Sequence, residues 1–174
     1  ERKTKPTKHS VKQLQDVGIQ PDILVLRTEK EIPASILRKV ALFCNVSVDA
    51  VIQSIDVPTI YEVPLTMHRQ NLDEIILRKT NTPYSGEPDM AKWNHFLDKR
   101  HSAQELVKIG LVGKYVELQD AYKSINESLF QAATYHDRKL DLRYISSEKL
   151  NDGDVAQQLS EMDGVIIAPG FGQR

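Results

Sequence analysis

The sequence predicts an α/β fold made of two partial parallel-sheet domains joined by a linker. Two observations carry this expectation. Short continuous apolar runs rich in β-branched residues alternate with longer stretches whose apolar residues recur every three or four positions. This rhythm occurs once before and once after "TNTPYSGEPD" (Thr80 to Asp89), where two prolines, a glycine and polar residues interrupt it.

In chain order, Ser10 is placed to cap a short helix through Val17, with Gly18 as its stop. "DILVLR" (Asp22 to Arg27) reads as a buried strand. "IPASILRKVALFCNV" has Pro33 at its first turn and Ile36, Leu37, Val40, Ala41 and Cys44 on one face, which predicts a helix. "AVIQSI" (Ala50 to Ile55) is the next strand, and strand, helix, strand at this spacing predicts a βαβ unit. Pro58 to about Leu77 is mostly helical in pattern, with a break expected at Pro64. "MAKWNHFLDKR" (Met90 to Arg100) reads as an amphipathic helix. The second rhythm then follows: "LVKIGLVG" a strand, "DAYKSINESLFQAATY" a helix, "LDLRYI" a strand, "DVAQQLSEM" a helix and "DGVIIAPG" a strand. Both halves are Rossmann-like in rhythm and short of strands. The expected divisions are residues 1–79, a linker with a helix at 80–105, and residues 106–174.

Composition narrows the function classes. A length of 174 residues suits one domain or a little more, and 40% apolar content supplies a core. The net charge of −1 gives no global attraction to nucleic acid or anionic membranes. The single cysteine, Cys44, excludes an internal disulfide and makes a reducing, cytoplasmic setting the default. No apolar run approaches the roughly 20 residues of a membrane span. The chain starts at Glu1 and stops at "PGFGQR" directly after an apolar run, so it is expected to be part of something longer.

"KTKPTKHS" (Lys3 to Ser10) is the densest chemical signal. Lys3, Lys5 and Lys8 give three ammonium groups, Thr4 and Thr7 give hydroxyls, and Pro6 stiffens the backbone between them. A helix N-terminus follows, whose free N–H groups and dipole favour anions. A triphosphate would use all of these donors; a solvated basic terminus is the plainer alternative. A nucleic-acid arm lacks support, because no aromatic residue interleaves with the lysines to stack on bases.

At this point the residues carry a resemblance. "KTKPTKHSVKQLQDVGIQPDILVLR", "KVALFCNV" and "IDVPTIYEVPL" closely resemble the back half of the amidoligase domain of the CTP synthase family. "KIGLVGKYVELQDAYKSINESL" and "DGVIIAPGFGQR" resemble the start of that family's glutamine amidotransferase domain. The resemblance runs through essentially the whole chain, linker included. It implies an enzyme that makes CTP from UTP, ATP and glutamine. Mg-ATP phosphorylates O4 of the uracil, and ammonia released from glutamine displaces the phosphate. It further implies feedback inhibition by CTP, activation by GTP, a homotetramer, and no nucleic-acid or membrane partner.

By the same resemblance, the family's KTKPTQ triphosphate motif falls on Lys3, Thr4, Lys5, Pro6, Thr7 and Lys8, with Lys8 standing where the family usually has glutamine. Lys39 matches a further nucleotide-site lysine. Ile55, Asp56 and Val57 match an ATP-contacting segment at a strand's carboxyl end, where open α/β sheets bind ligands. A turn-capping role for Asp56 before Pro58 is the alternative. "APGFG" stands where the family has "PGGFG", so Gly170 matches the glycine that contacts glutamine and helps form the oxyanion hole. Ala168 and Pro169 replace a Pro-Gly pair there. Lys114 and Tyr115 fall in a GKY signature tied to GTP activation; alternatively, Tyr115 and Tyr122 pack the following helix on its sheet.

Other signals are missing. The chain has no GxxxxGK[ST] loop, no acidic pair assignable to Mg2+ and no cysteine on a nucleophile elbow. Cys44 lies on an apolar helical face and reads as an inert core thiol, and the five histidines form no metal motif. The resemblance therefore implies that the phosphate loop, the Mg2+ ligands and the catalytic cysteine lie elsewhere and that this segment is inactive alone. A non-catalytic nucleotide-binding or scaffold module is the competing reading.

Overall fold

The computed structural model describes residues 4–83, 86–118, 120–151, 153 and 155–172. It is a mixed α/β structure that divides into two compact units, residues 1–88 and 89–174.

The first unit runs α1 (Lys5–Asp16), β1 (Leu24–Thr28), α2 (Ala34–Cys44), a 3-10 turn at Val48–Ala50, β2 (Val51–Ile55), a second 3-10 turn at Ile60–Glu62, α3 (Val63–His68) and α4 (Leu72–Lys79). β1 and β2 pair in parallel, with Leu24 opposite Val51 and Thr28 opposite Ile55. Successive residues of a strand point to opposite faces, and β2 uses both. Val51 packs with Val11 of α1 and with Val40, Ala41 and Cys44 of α2. Ile52 faces the other way, against Ile75 of α4, with Met67 and Leu72 beside it. Ile52 is 1% exposed, and burying a side chain of that size stabilises the fold by about 1.5–3 kcal/mol. Cys44 is fully buried, and burial pushes its thiol pKa up, as expected of an inert core cysteine.

The start of α1 and the break expected at Pro64 both differ from the sequence reading. α1 begins at Lys5, not after Ser10; Ser10 is interior and its hydroxyl donates back to Pro6 O at 3.2 Å. Pro6 is the reason. Its missing N–H has no partner to lose in a first turn, and its fixed φ suits a helix start. The stop is as expected, with Gly18 at φ +84°. Pro64 likewise sits in the first turn of α3 and does not break a helix. The break comes at Asn71, whose left-handed φ of +57° ends one helix and opens α4.

His68, at the carboxyl end of α3, joins that turn to α4. Its Nδ1 lies 2.8 Å from Asp73 Oδ2 and its Nε2 lies 3.4 Å from Glu87 Oε2. The hydrogen bond to Asp73 holds the imidazole pKa above its ordinary value, with the charges of Asp73, Glu87 and Glu74 adding to it against partial burial. Burial pushes Asp73 up, but the His68 hydrogen bond and backbone N–H groups bring its carboxyl below the usual range. A raised histidine stabilises fully below its unfolded pKa, about 6.5, and loses that contribution as pH rises through the folded value. Urea midpoints from pH 5.5 to 9 should therefore show His68→Ala most destabilised at the acid end, with the gap narrowing upward. A pH-independent gap would show that the charge of His68 contributes nothing.

The second unit runs α5 (Ala91–Ser102), β3 (Leu106–Gly113), α6 (Lys123–Tyr135), β4 (Lys139–Ser146), α7 (Val155–Leu159) and β5 (Gly164–Ile167). Its sheet has the order β4-β3-β5, all parallel. β3 is central, and Gly110 to Gly113 at its carboxyl end are buried. The outward side chains of edge strand β5 stay open, with Ile167 82% exposed. Among the described residues no helix is long and apolar enough to cross a membrane.

Candidate functional site

Thr4 is the N-cap of α1, and Lys5, Pro6, Thr7 and Lys8 form its opening turn. Lys3 lies outside the described residues. An α-helix leaves its first N–H groups without intrahelical partners, so this turn combines backbone donors, the exposed Lys5 ammonium and the hydroxyls of Thr4 and Thr7. Lys8 turns toward α2, its Nζ 3.2 Å from the centroid of the Phe43 ring. Lys39, exposed on α2, stands one helical turn before Phe43, so the two are neighbours on the helix surface. Through Phe43 the structure thus brings Lys8 of α1 beside the stretch of α2 that carries Lys39.

Ile55, Asp56 and Val57 line a different cleft, of about 320 Å3, with Arg27, Ser54, Ile60 and Val63. It opens at the carboxyl ends of β1 and β2, the ligand-binding end of a parallel sheet. Asp56 N donates to Thr28 O at 3.0 Å, which extends the strand pairing by one step. The Asp56 carboxylate is ion-paired with Arg27, whose guanidinium also donates to Ser54 O at 3.2 Å. The cleft therefore offers a fixed cation beside an acceptor. Sequence reasoning missed Arg27, although a charge closing the apolar run "DILVL" was the available signal.

In the second unit the GKY and PGFG stretches meet at the carboxyl ends of β3 and β5. Ala168 N donates to Val112 O at 2.8 Å, which sets where the loop leaves the sheet. Lys114 Nζ donates to Phe171 O at 2.8 Å and stands 3.7 Å from Glu148. Phe171 N donates to Tyr115 Oη at 3.3 Å. Both backbone polar atoms of Phe171 are therefore held by GKY side chains, and the Phe171 ring is left 86% exposed. Tyr122, 4% exposed, accepts from Lys114 N and Tyr115 N at 3.1 Å each and donates to Pro169 O at 3.4 Å. Glu148 carried no signal in the sequence.

This arrangement explains Gly113. A Cβ there would meet the Tyr122 ring and hydroxyl at 2.7–2.8 Å. Gly113→Ala should lower stability by about 1–3 kcal/mol, the usual cost of overpacking a filled site. A lower urea midpoint at unchanged slope would register it; an unchanged midpoint would mean that Tyr122 can move aside freely.

Similarity to known proteins runs across both units. The family model for the CTP synthase N-terminus matches residues 1–82. CTP synthase from Porphyromonas gingivalis is 63% identical over 174 residues, 100% of this chain and 32% of that protein. Those from Bacteroides fragilis and Flavobacterium johnsoniae are 59% and 51% identical, again over 100% of this chain and over 33% and 32% of their own lengths. The chain spans about a third of the curated relatives it matches, and along all of that span it belongs to the CTP synthase family.

Proposed function

We propose that this chain is the part of a glutamine-hydrolysing CTP synthase that joins the amidoligase domain to the glutamine amidotransferase domain. The reaction is the ATP-dependent amination of UTP to CTP. The γ-phosphoryl group of ATP goes to O4 of the uracil, and ammonia from glutamine then displaces that phosphate. The observation that supports the reading is the similarity to CTP synthases running unbroken through both units.

In this reading Lys3, Thr4, Lys5, Pro6, Thr7, Lys8 and Lys39 form the cradle for the triphosphate of UTP or of the feedback inhibitor CTP. The cleft at Ile55, Asp56 and Val57 takes part of ATP. Asp56 suits a ribose hydroxyl or the adenine amino group as an acceptor, and Arg27 suits an anionic oxygen. Gly170 contributes to the glutamine site, and GTP acts as activator in a homotetramer. Mg2+ accompanies ATP, but no group of three His, Cys, Asp or Glu among the described residues could hold it. In this reading, as the family resemblance implies, its ligands lie elsewhere in the enzyme.

The test is CTP formation from UTP and ATP by the complete protein carrying this segment, with glutamine and with ammonia in separate assays. Turnover with both nitrogen sources is expected. Tight UTP and CTP binding without turnover from either source would instead favour a non-catalytic nucleotide-binding module.

A further inference from the structure

We infer that Tyr122 is the positioning residue of the glutamine loop, its single hydroxyl fixing the Pro169–Gly170 turn to the backbone that follows β3. The inference rests on the proposed role of Gly170 in glutamine hydrolysis.

A tyrosine hydroxyl has one hydrogen to donate and two lone pairs to accept with. Here all three are used. The lone pairs take Lys114 N–H and Tyr115 N–H at 3.1 Å each, and the hydrogen goes to Pro169 O at 3.4 Å. The two strand ends are thereby tied through one oxygen, whose own bond to Pro169 spans 47 positions of sequence. The ring that carries this oxygen has no freedom to drift, because it is 4% exposed and lies against Gly113, where even a methyl group would collide.

Pro169 makes the bond more consequential. A proline offers the loop no N–H, so its carbonyl is the polar backbone atom at that position, and Tyr122 holds it. The next residue is Gly170. A shift of about 1 Å in such a loop moves oxyanion donors off their target, and removing one donor costs roughly 10²–10³ in kcat. Ala168 N is tied to Val112 O where the loop leaves the sheet, while Lys114 Nζ and Tyr115 Oη reach Phe171, beyond Gly170. Tyr122 is thus the side chain that holds the residue directly before Gly170, and it sets the approach to the turn.

The test uses the complete CTP synthase carrying Tyr122→Phe, which keeps the ring and removes only the hydroxyl. Glutamine-dependent kcat should fall by about 10- to 100-fold, as for leaving buried donors unpaired. The glutamine KM and ammonia-dependent CTP formation should stay near their parent values, because losing an interaction made only in the transition state lowers kcat without raising KM. Tyr144→Phe serves as the control. It also loses a hydroxyl bond, the one from Asn126 Nδ2 at 2.7 Å, and that bond comes from α6 and from neither loop, so both activities should persist. If Tyr122→Phe spares glutamine turnover, or lowers both activities equally, Tyr122 is structural only and the inference is overturned. Gly170→Val assayed alongside separates the two levels. If it too leaves glutamine turnover intact, the glutamine role of the loop fails; if it alone abolishes turnover, only the role of Tyr122 fails.

Discussion

In a complete CTP synthase, Gly170→Val is expected to lower glutamine-dependent CTP formation by about 10²–10³-fold, the cost of losing an oxyanion donor, and to leave ammonia-dependent formation nearly intact. The geometry separates valine from alanine. A Cβ at residue 170 would stand 3.3 Å from Lys114 Cβ and 3.8 Å from Tyr115 Cε2. Alanine needs its neighbours to give by a few tenths of an ångström, so Gly170→Ala should retain much of the activity. The two γ-methyls of valine extend into the same space and displace Lys114, whose Nζ holds Phe171 O. The loop then loses shape and, in the proposed reading, room for glutamine. Ammonia bypasses glutamine hydrolysis, and the amination chemistry belongs to the other unit in the proposed reading. Parallel steady-state assays with the two nitrogen sources decide the matter; an equal loss of both activities would place residue 170 outside the glutamine site.

The contrast between the two units shows what a sequence can and cannot disclose. The strands were legible as short apolar runs: "LVKIGLVG" is β3 residue for residue, and "AVIQSI" differs from β2 only at Ala50. The burial expected of "DILVLR" was not met, because β1 is covered on one face only and Val25 is 53% exposed. The buried face of α2 was legible too, because helical periodicity places Val40, Ala41 and Cys44 together and all three are buried. The start of α1 was misread because two start signals competed. Serine is a common cap, but Pro6 favours a first turn, and the serine found an acceptor inside the helix. Long-range pairing was not legible at all. Nothing in "GKY" announces that Lys114 will reach the carbonyl of Phe171, 57 positions on, or that Arg27 will pair with Asp56. Such contacts depend on strand order, since they join the ends of strands adjacent in space but distant in sequence. The motifs were visible as separate stretches, and the fold supplies their meeting.

The start of α1 also sharpens the expectation for the lysines. UTP and CTP differ only at position 4 of the base, so a site that grips the triphosphate cannot tell them apart. Lys5→Ala and Lys39→Ala should each raise the UTP KM and the CTP inhibition constant by the same factor. A charge-assisted contact is worth roughly 1.5–3 kcal/mol, which is about one to two powers of ten in affinity. Both constants should also be more salt-sensitive in the parent enzyme than in either variant, because screening weakens the contact that alanine has already removed. Lys8 should behave differently. Its ammonium already rests on the Phe43 ring, a contact worth about 0.5–1 kcal/mol at an exposed site. Lys8→Gln should therefore cost a little stability and change the two nucleotide constants far less than Lys5→Ala does. Kinetics at several UTP concentrations with CTP titration, repeated at low and high salt, measure all of this together. A Lys39→Ala enzyme that escapes CTP inhibition while its UTP KM stays at the parent value would show that Lys39 senses the base or a CTP-specific conformation and is not part of a shared cradle.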